Sequence, residues 1–296
     1  MSEPHAHMQL WSLPLAAASA LVVTALVYVH GWLRLRRAFP NLIPNWRLAA
    51  FMGGLFVAWT AVASPLAALD HQSLTIHMVK HLLLMTVATP LILAAAPVLP
   101  LLRGLPNRFI QSDVLLRSWP ARWLGRSLTH PILCWLAGTA AVIGWHLPIA
   151  FQLAMRSHWA HGAEDACFLL AGLLFWWPVV QPVPNVARSP RWSMSLYLFL
   201  ATLPCDILSA FLVFCNRLVY PCYMSTTQLF SLSPLQDQES AGALMWVWVT
   251  FAYLIPAVVI TMQMLSPLNE HSHQPARGAL HKVGAGSING SEVEVL

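Results

Sequence analysis

The stretch Asp70 to Met85, DHQSLTIHMVKHLLLM, sets metal-binding side chains at the head of an apolar run. It holds three histidines, a lysine and an aspartate. His77, His81 and Met85 recur every four residues, which aligns them on one face of a helix. Imidazole and thioether donors together suit copper, and the thioether favours Cu(I). The same residues also read as a polar cap at a membrane boundary with a core methionine beneath it. The metal reading requires ligands from elsewhere in the chain.

Those ligand types are present. His146 stands in GWHLP, and AMRSHWAHGAEDAC supplies His158, His161, Glu164 and Asp165. His161 and Asp165 form another four-residue pair, although carboxylates there also suit a helix N-terminus with no metal. Asp237 opens the last apolar run in LQDQES. Cys205 and Asp206 lie in the middle of another, where a carboxylate costs at least ~2.5–3.5 kcal/mol unless partnered or neutral. That marks Asp206 as functional, or as a protonated group bonded to a neighbouring helix. The expected metal ligands are His77, His81, His146, His161, Met85 and Glu164. His71, Asp165, Asp237, His158, Asp206 and Cys205 are expected to orient them or to extend the path of the ion. The N-terminal His5, His7 and Met8 form a weaker cluster of the same type.

The elements that must position these groups follow from composition. The chain is 57% hydrophobic and 9% charged, where a soluble domain carries about 25% charged residues. Seven apolar runs are present, at 12–33, 47–69, 77–102, 130–151, 164–181, 194–215 and 241–264. Each is near or above the ~20 residues of a membrane helix, and no alternating barrel pattern is seen. The fold class expected is therefore an all-α integral membrane protein, a bundle of seven transmembrane helices. Of the 16 basic residues, all but Lys80, Arg156 and Arg217 fall after runs one, three, five and seven. The positive-inside rule then puts the N-terminus outside and the C-terminus in the cytoplasm. The net charge of +5 describes loops seated on anionic lipid rather than nucleic-acid binding.

The first run has no basic residue before it and several after it, so an uncleaved anchor is expected. The domain plan is an outer tail at 1–11, a transmembrane domain at 12–265 with a cytoplasmic interfacial loop at 103–129, and a disordered cytoplasmic tail at 266–296. Five cysteines without a CxxC pair imply no disulfide framework. Cys215 and Cys222 both fall near the outer face, and their pairing is left open.

The runs HMVKHLLLMTVATPLIL, GWHLPIAFQLAM, HGAEDACFLLAGLLFWWPV, LVYPCYM and LQDQESAGALMWVWV resemble the signature blocks of the CtaG family. These are polytopic assembly factors for caa-type cytochrome c oxidases. The blocks cover most of residues 70–255. The resemblance implies seven helices in a bacterial plasma membrane and a role in supplying or inserting copper during oxidase maturation. The positions it carries over are His77, His81, Trp145-His146, His161, Glu164 and Asp237-Gln238. Where the family often shows a histidine in the helix-five block, this chain has Asp165, which makes the ligand set harder.

The expected function is therefore a non-enzymatic copper-binding assembly factor, with Cu(I) favoured. Its partners would be oxidase subunits, other copper chaperones and membrane lipid. A b-type haem protein is the alternative, with His81 and His146 as axial ligands. A metal-dependent membrane hydrolase is a third reading, weakened by the lack of HExxH. A purely structural scaffold, its histidines hydrogen-bonded in packing, is the fourth.

Overall fold

The structure is a computed structural model, and it describes residues 15–39, 44–106, 130–180, 190–225 and 231–266. Both tails and nearly all of the 103–129 loop lie outside the described residues. Among the described residues every regular element is helical. They are α1 (Leu15–Ala38), α2 (Asn45–Ala63), α3 (Pro65–Leu69), α4 (Leu74–Leu82), a π-helical segment (Leu83–Ala88), α5 (Thr89–Ala94) and α6 (Val98–Gly104). After these come α7 (Pro131–His146), α8 (Pro148–Arg156), α9 (His158–Val180), α10 (Arg191–Phe214), a 3-10 turn (Pro221–Ser225) and α11 (Pro234–Leu265).

Among the described residues six helices are long and apolar enough to cross a membrane, and the bent pair α7–α8 makes a seventh if it counts as one span. Three expected runs are interrupted, the second run at Ser64 between α2 and α3. The third run does not continue to residue 102 as one helix. It stops at Ala95, and Ala96 takes φ 48°, a left-handed conformation costly for a residue with a Cβ. The chain then restarts as α6. The fourth run turns by 73° between His146 and Pro148. Proline lacks the N–H that would continue the ladder and pushes the preceding Leu147 out of helical geometry.

The span Leu74–Ala94 is the axis of the bundle. Its apolar window is 67% buried, against 17% for α1. Its π segment begins two residues after His81, a place where such segments often accompany function. Contacts along α11 fix the two ends of the bundle. Asp237 meets Ser73, while Thr261 meets Ser195 of α10, about 36 Å further along a helix rising ~1.5 Å per residue. Tyr28 donates to the carbonyls of Arg47 and Ala95 at the Thr261 end. Arg34, Arg36, Arg37, Arg47, Arg103 and Arg191 therefore gather opposite the Asp237–Ser73 contact.

Close packing of α1 on α6 depends on two glycines. A Cβ at Gly31 would lie 1.8 Å from the Pro100 carbonyl oxygen, and one at Gly104 would lie 1.9 Å from that of Val27. Small residues let membrane helices approach in this way. Gly31→Ala is expected to destabilise the protein by at least about 1–3 kcal/mol through overpacking. Gly53→Ala is expected to be neutral, since a Cβ there meets nothing within 4 Å. Thermal unfolding in detergent compares the two.

Candidate metal centre

The helix that presents His77 and His81 is held at its start by another helix. Ser73 caps α4 by accepting from Ile76 N–H at 3.4 Å. Asp237 of α11 does more. Its carboxylate accepts from Leu74 N–H at 2.6 Å, Thr75 N–H at 3.2 Å, Thr75 Oγ1 at 2.7 Å and Ser73 Oγ at 2.9 Å. Orphan N–H donors and the positive end of the helix dipole are thereby satisfied at once. Asp237 thus acts as a cap one turn above His77. Its neighbour Gln238 is fully buried and accepts from Val219 N–H at 2.8 Å, fixing the loop after α10. Asp237→Ala is expected to cost about 1–2 kcal/mol, in the range of a lost cap, read as a lower unfolding temperature.

One turn down, His77 Nε2 and His81 Nε2 lie 2.9 Å apart. Glu164 Oε1 of α9 completes a triangle, 3.5 Å from the first and 3.4 Å from the second. All three side chains are buried, with 1%, 4% and 1% of their surface exposed. A tetrahedral ion with bonds of ~2.0–2.2 Å spaces its ligand atoms about 3.3–3.6 Å apart. Two edges of the triangle match that spacing, and the third is slightly short. The rings are braced on their far sides: His81 stacks on Phe168 with centroids 4.1 Å apart, and His77 meets the edge of Phe151 at 4.9 Å. Two imidazole nitrogens and one carboxylate oxygen aimed at one point form a borderline-to-hard set that fits a divalent transition metal. Glu164 sits six residues past the start of α9, so helix capping does not account for it.

A second group surrounds Lys80. Its ammonium is fully buried, 2.6 Å from Asp70 Oδ2, 2.9 Å from Asp165 Oδ1 and 2.7 Å from His161 Nε2. His161 Nε2 is also 2.9 Å from Asp70 Oδ2, and His71 Nε2 is 3.7 Å from Asp70 Oδ1. Asp70, His71 and His161 come close enough to hold an ion, but the Lys80 ammonium already supplies their positive charge. We therefore read this group as a buried ion-pair network. Burial alone would raise the Asp70 carboxyl, but the hydrogen bond with His161 and the charge of Lys80 hold it well below the usual carboxylate range. His71 is lowered, by burial first and against the pull of Asp70. Tyr223 donates to the Asp70 carbonyl at 2.9 Å. Glu164 links the groups, its Oε2 lying 3.5 Å from His161 Nδ1.

The remaining expected ligands stand elsewhere. His146 ends α7, where Tyr220 donates to its carbonyl at 2.9 Å. It faces a cavity also lined by Met85 and Cys205. His158 opens α9 with an exposed side chain and belongs to neither ligand cluster. Asp206 Oδ1 is buried with no hydrogen-bond partner, and Asp206 is not among the residues lining that cavity. All five cysteines are free thiols, Cys215 and Cys222 included. Lys80 is the buried centre of the ion-pair network and was not among the residues expected at the site. Its signal was present: an ionisable group within an apolar helix calls for a named partner.

The cavity beside His81 and His146 holds about 30 Å³.

The fold and the buried triangle together define a class: a polytopic helical membrane protein with a two-histidine, one-glutamate cluster near one end of its bundle. Residues 26–266 match the family model described as cytochrome c oxidase caa3 assembly factor (Caa3_CtaG). The chain belongs to this family of cytochrome c oxidase assembly factors. It is 24% identical over 273 residues to an uncharacterized protein of Mycobacterium leprae, covering 90% of this chain and 40% of that protein. It is 25% identical over 263 residues to uncharacterized proteins of Mycobacterium bovis and Mycobacterium tuberculosis, covering 86% of this chain and 39% of each. The chain thus spans about two fifths of these relatives' length. No solved structure matches it.

Proposed function

We propose that the chain binds copper as cargo at His77, His81 and Glu164 and passes it on during maturation of the oxidase. The observation that carries this reading is the triangle of buried donor atoms, 2.9–3.5 Å on a side, contributed by two helices. Among first-row divalent ions an N/N/O set of this kind binds Cu(II) most tightly. Three protein donors leave further coordination positions for an exchanging ligand. Oxidase assembly, the family's process, is one that consumes copper. Protein partners would be an oxidase subunit or another copper chaperone. The basic residues gathered at the opposite end of the bundle support a cytoplasmic placement for that end. The triangle would then lie near the outer face of a bacterial plasma membrane.

The test is complementation in cells lacking the chain. Wild type restores oxidase activity, and His77→Ala with His81→Ala fails to do so at low copper while inserting normally. Full restoration by the double variant at limiting copper would sink the proposal.

A further inference from the structure

A separate donor set lies on the neighbouring face of α4. His146 Nδ1 is 2.6 Å from the Val142 carbonyl oxygen, so it must carry the proton and donate, since a carbonyl only accepts. In the neutral ring Nε2 is then bare. It lies 3.2 Å from Met78 Sδ, another group without a proton to give. Two lone-pair donors therefore meet with nothing between them. A second proton on the ring would bury a charge here, and no carboxylate lines this cavity to pair with it. His146 is 7% exposed and Met78 1%. The cavity beside them holds about 30 Å³ and is also lined by Met85, Met245 and Cys205, each 3–5% exposed.

We propose that Met78 and His146, with Met85 and Met245 around them, form a second metal site selective for a soft monovalent ion, Cu(I) or its analogue Ag(I). Neutral thioethers and one imidazole stabilise a soft monovalent ion but offer no charge to balance a divalent one. No carboxylate lines the cavity, and Leu82, Val142, Phe168 and Val249 are part of its wall, which disfavours a divalent ion further. This site is distinct from the His77–His81–Glu164 triangle and stands whether or not that triangle holds copper. Met78, His81 and Met85 share the cavity face of the axial helix, so the two sites adjoin at His81.

The experiment titrates Ag(I) into detergent-purified, full-length protein, with competition by a soluble Ag(I) chelator. Wild type and Glu164→Gln are expected to bind one Ag(I) with equal affinity. Met78→Leu combined with Met245→Leu, a volume-conserving change, is expected to weaken Ag(I) by about 100-fold or more while Cu(II) uptake is unchanged. Silver-edge X-ray absorption of the wild type is expected to show sulfur neighbours, a result independent of how any variant folds. Unchanged Ag(I) affinity in the methionine variant, parallel loss in Glu164→Gln, or a sulfur-free silver shell would each overturn the proposal.

Discussion

Glu164→Gln is expected to reduce Cu(II) affinity by more than about 100-fold while leaving the protein folded. The substitution keeps shape and volume but removes the single negative charge facing His77 Nε2 and His81 Nε2. Groups that merely orient ligands are worth about 10–100-fold in affinity, and Glu164 Oε1 is itself one corner of the triangle. Glutamine also offers an N–H₂ that would compete with the ion for the imidazole lone pairs. Equilibrium dialysis against a Cu(II) chelator gives the affinity, and thermal unfolding without metal checks the fold. Asp237→Ala supplies the contrast. It loosens the start of α4 without touching a ligand atom, so it should lower stability more than metal affinity. Equal Cu(II) affinity in Glu164→Gln and wild type would remove the carboxylate from the account.

Lys80→Met is expected to cause the largest loss of stability of any single change considered. Its ammonium meets Asp70, Asp165 and His161 within 2.9 Å and is fully buried. Removing one partner of such a pair costs about 3–5 kcal/mol, because the remaining charges stay buried and uncompensated. The carboxylates of Asp70, in the turn before α4, and Asp165, in α9, would then be left without their cation. Neutralising the whole group should recover most of the loss, since replacing a buried ion network by neutral residues is often close to neutral. Lys80→Met with Asp70→Asn and Asp165→Asn is the variant that tests this. A single variant as stable as wild type, or a triple variant less stable than the single, would contradict the reading.

Much of this was legible in the sequence. The apolar runs locate the spans, and the four-residue spacing of His77 and His81 puts both on one helical face. Glu164 was visible as a carboxylate near the start of a span, but its face and depth were not. They depend on α9 beginning at His158 rather than at the start of the apolar run. The row drawn through His77, His81 and Met85 becomes two rows in the fold. One carries His77 and His81 toward Glu164, and the other carries Met78, His81 and Met85 along the cavity. Which row a residue joins is decided by the helices packed on each side, and spacing alone does not encode that.

Asp237 shows a different limit. A cap usually sits beside the helix it caps in sequence, whereas this one lies 164 residues from Ser73. Lys80 could be flagged as costly in an apolar span, but its partners come from 10, 81 and 85 residues away and only the fold unites them. The break of α7 from α8 was written in HLP. The π segment has no comparable signature.

Copper-edge X-ray absorption on protein loaded with one equivalent of Cu(II) and passed through a desalting column bears most directly on the triangle. The expected shell contains nitrogen and oxygen only, with the scattering pattern of two imidazoles, unchanged by Met78→Leu with Met245→Leu. Wild type that retains no copper, or the same two-imidazole shell persisting in His77→Ala with His81→Ala, would contradict it.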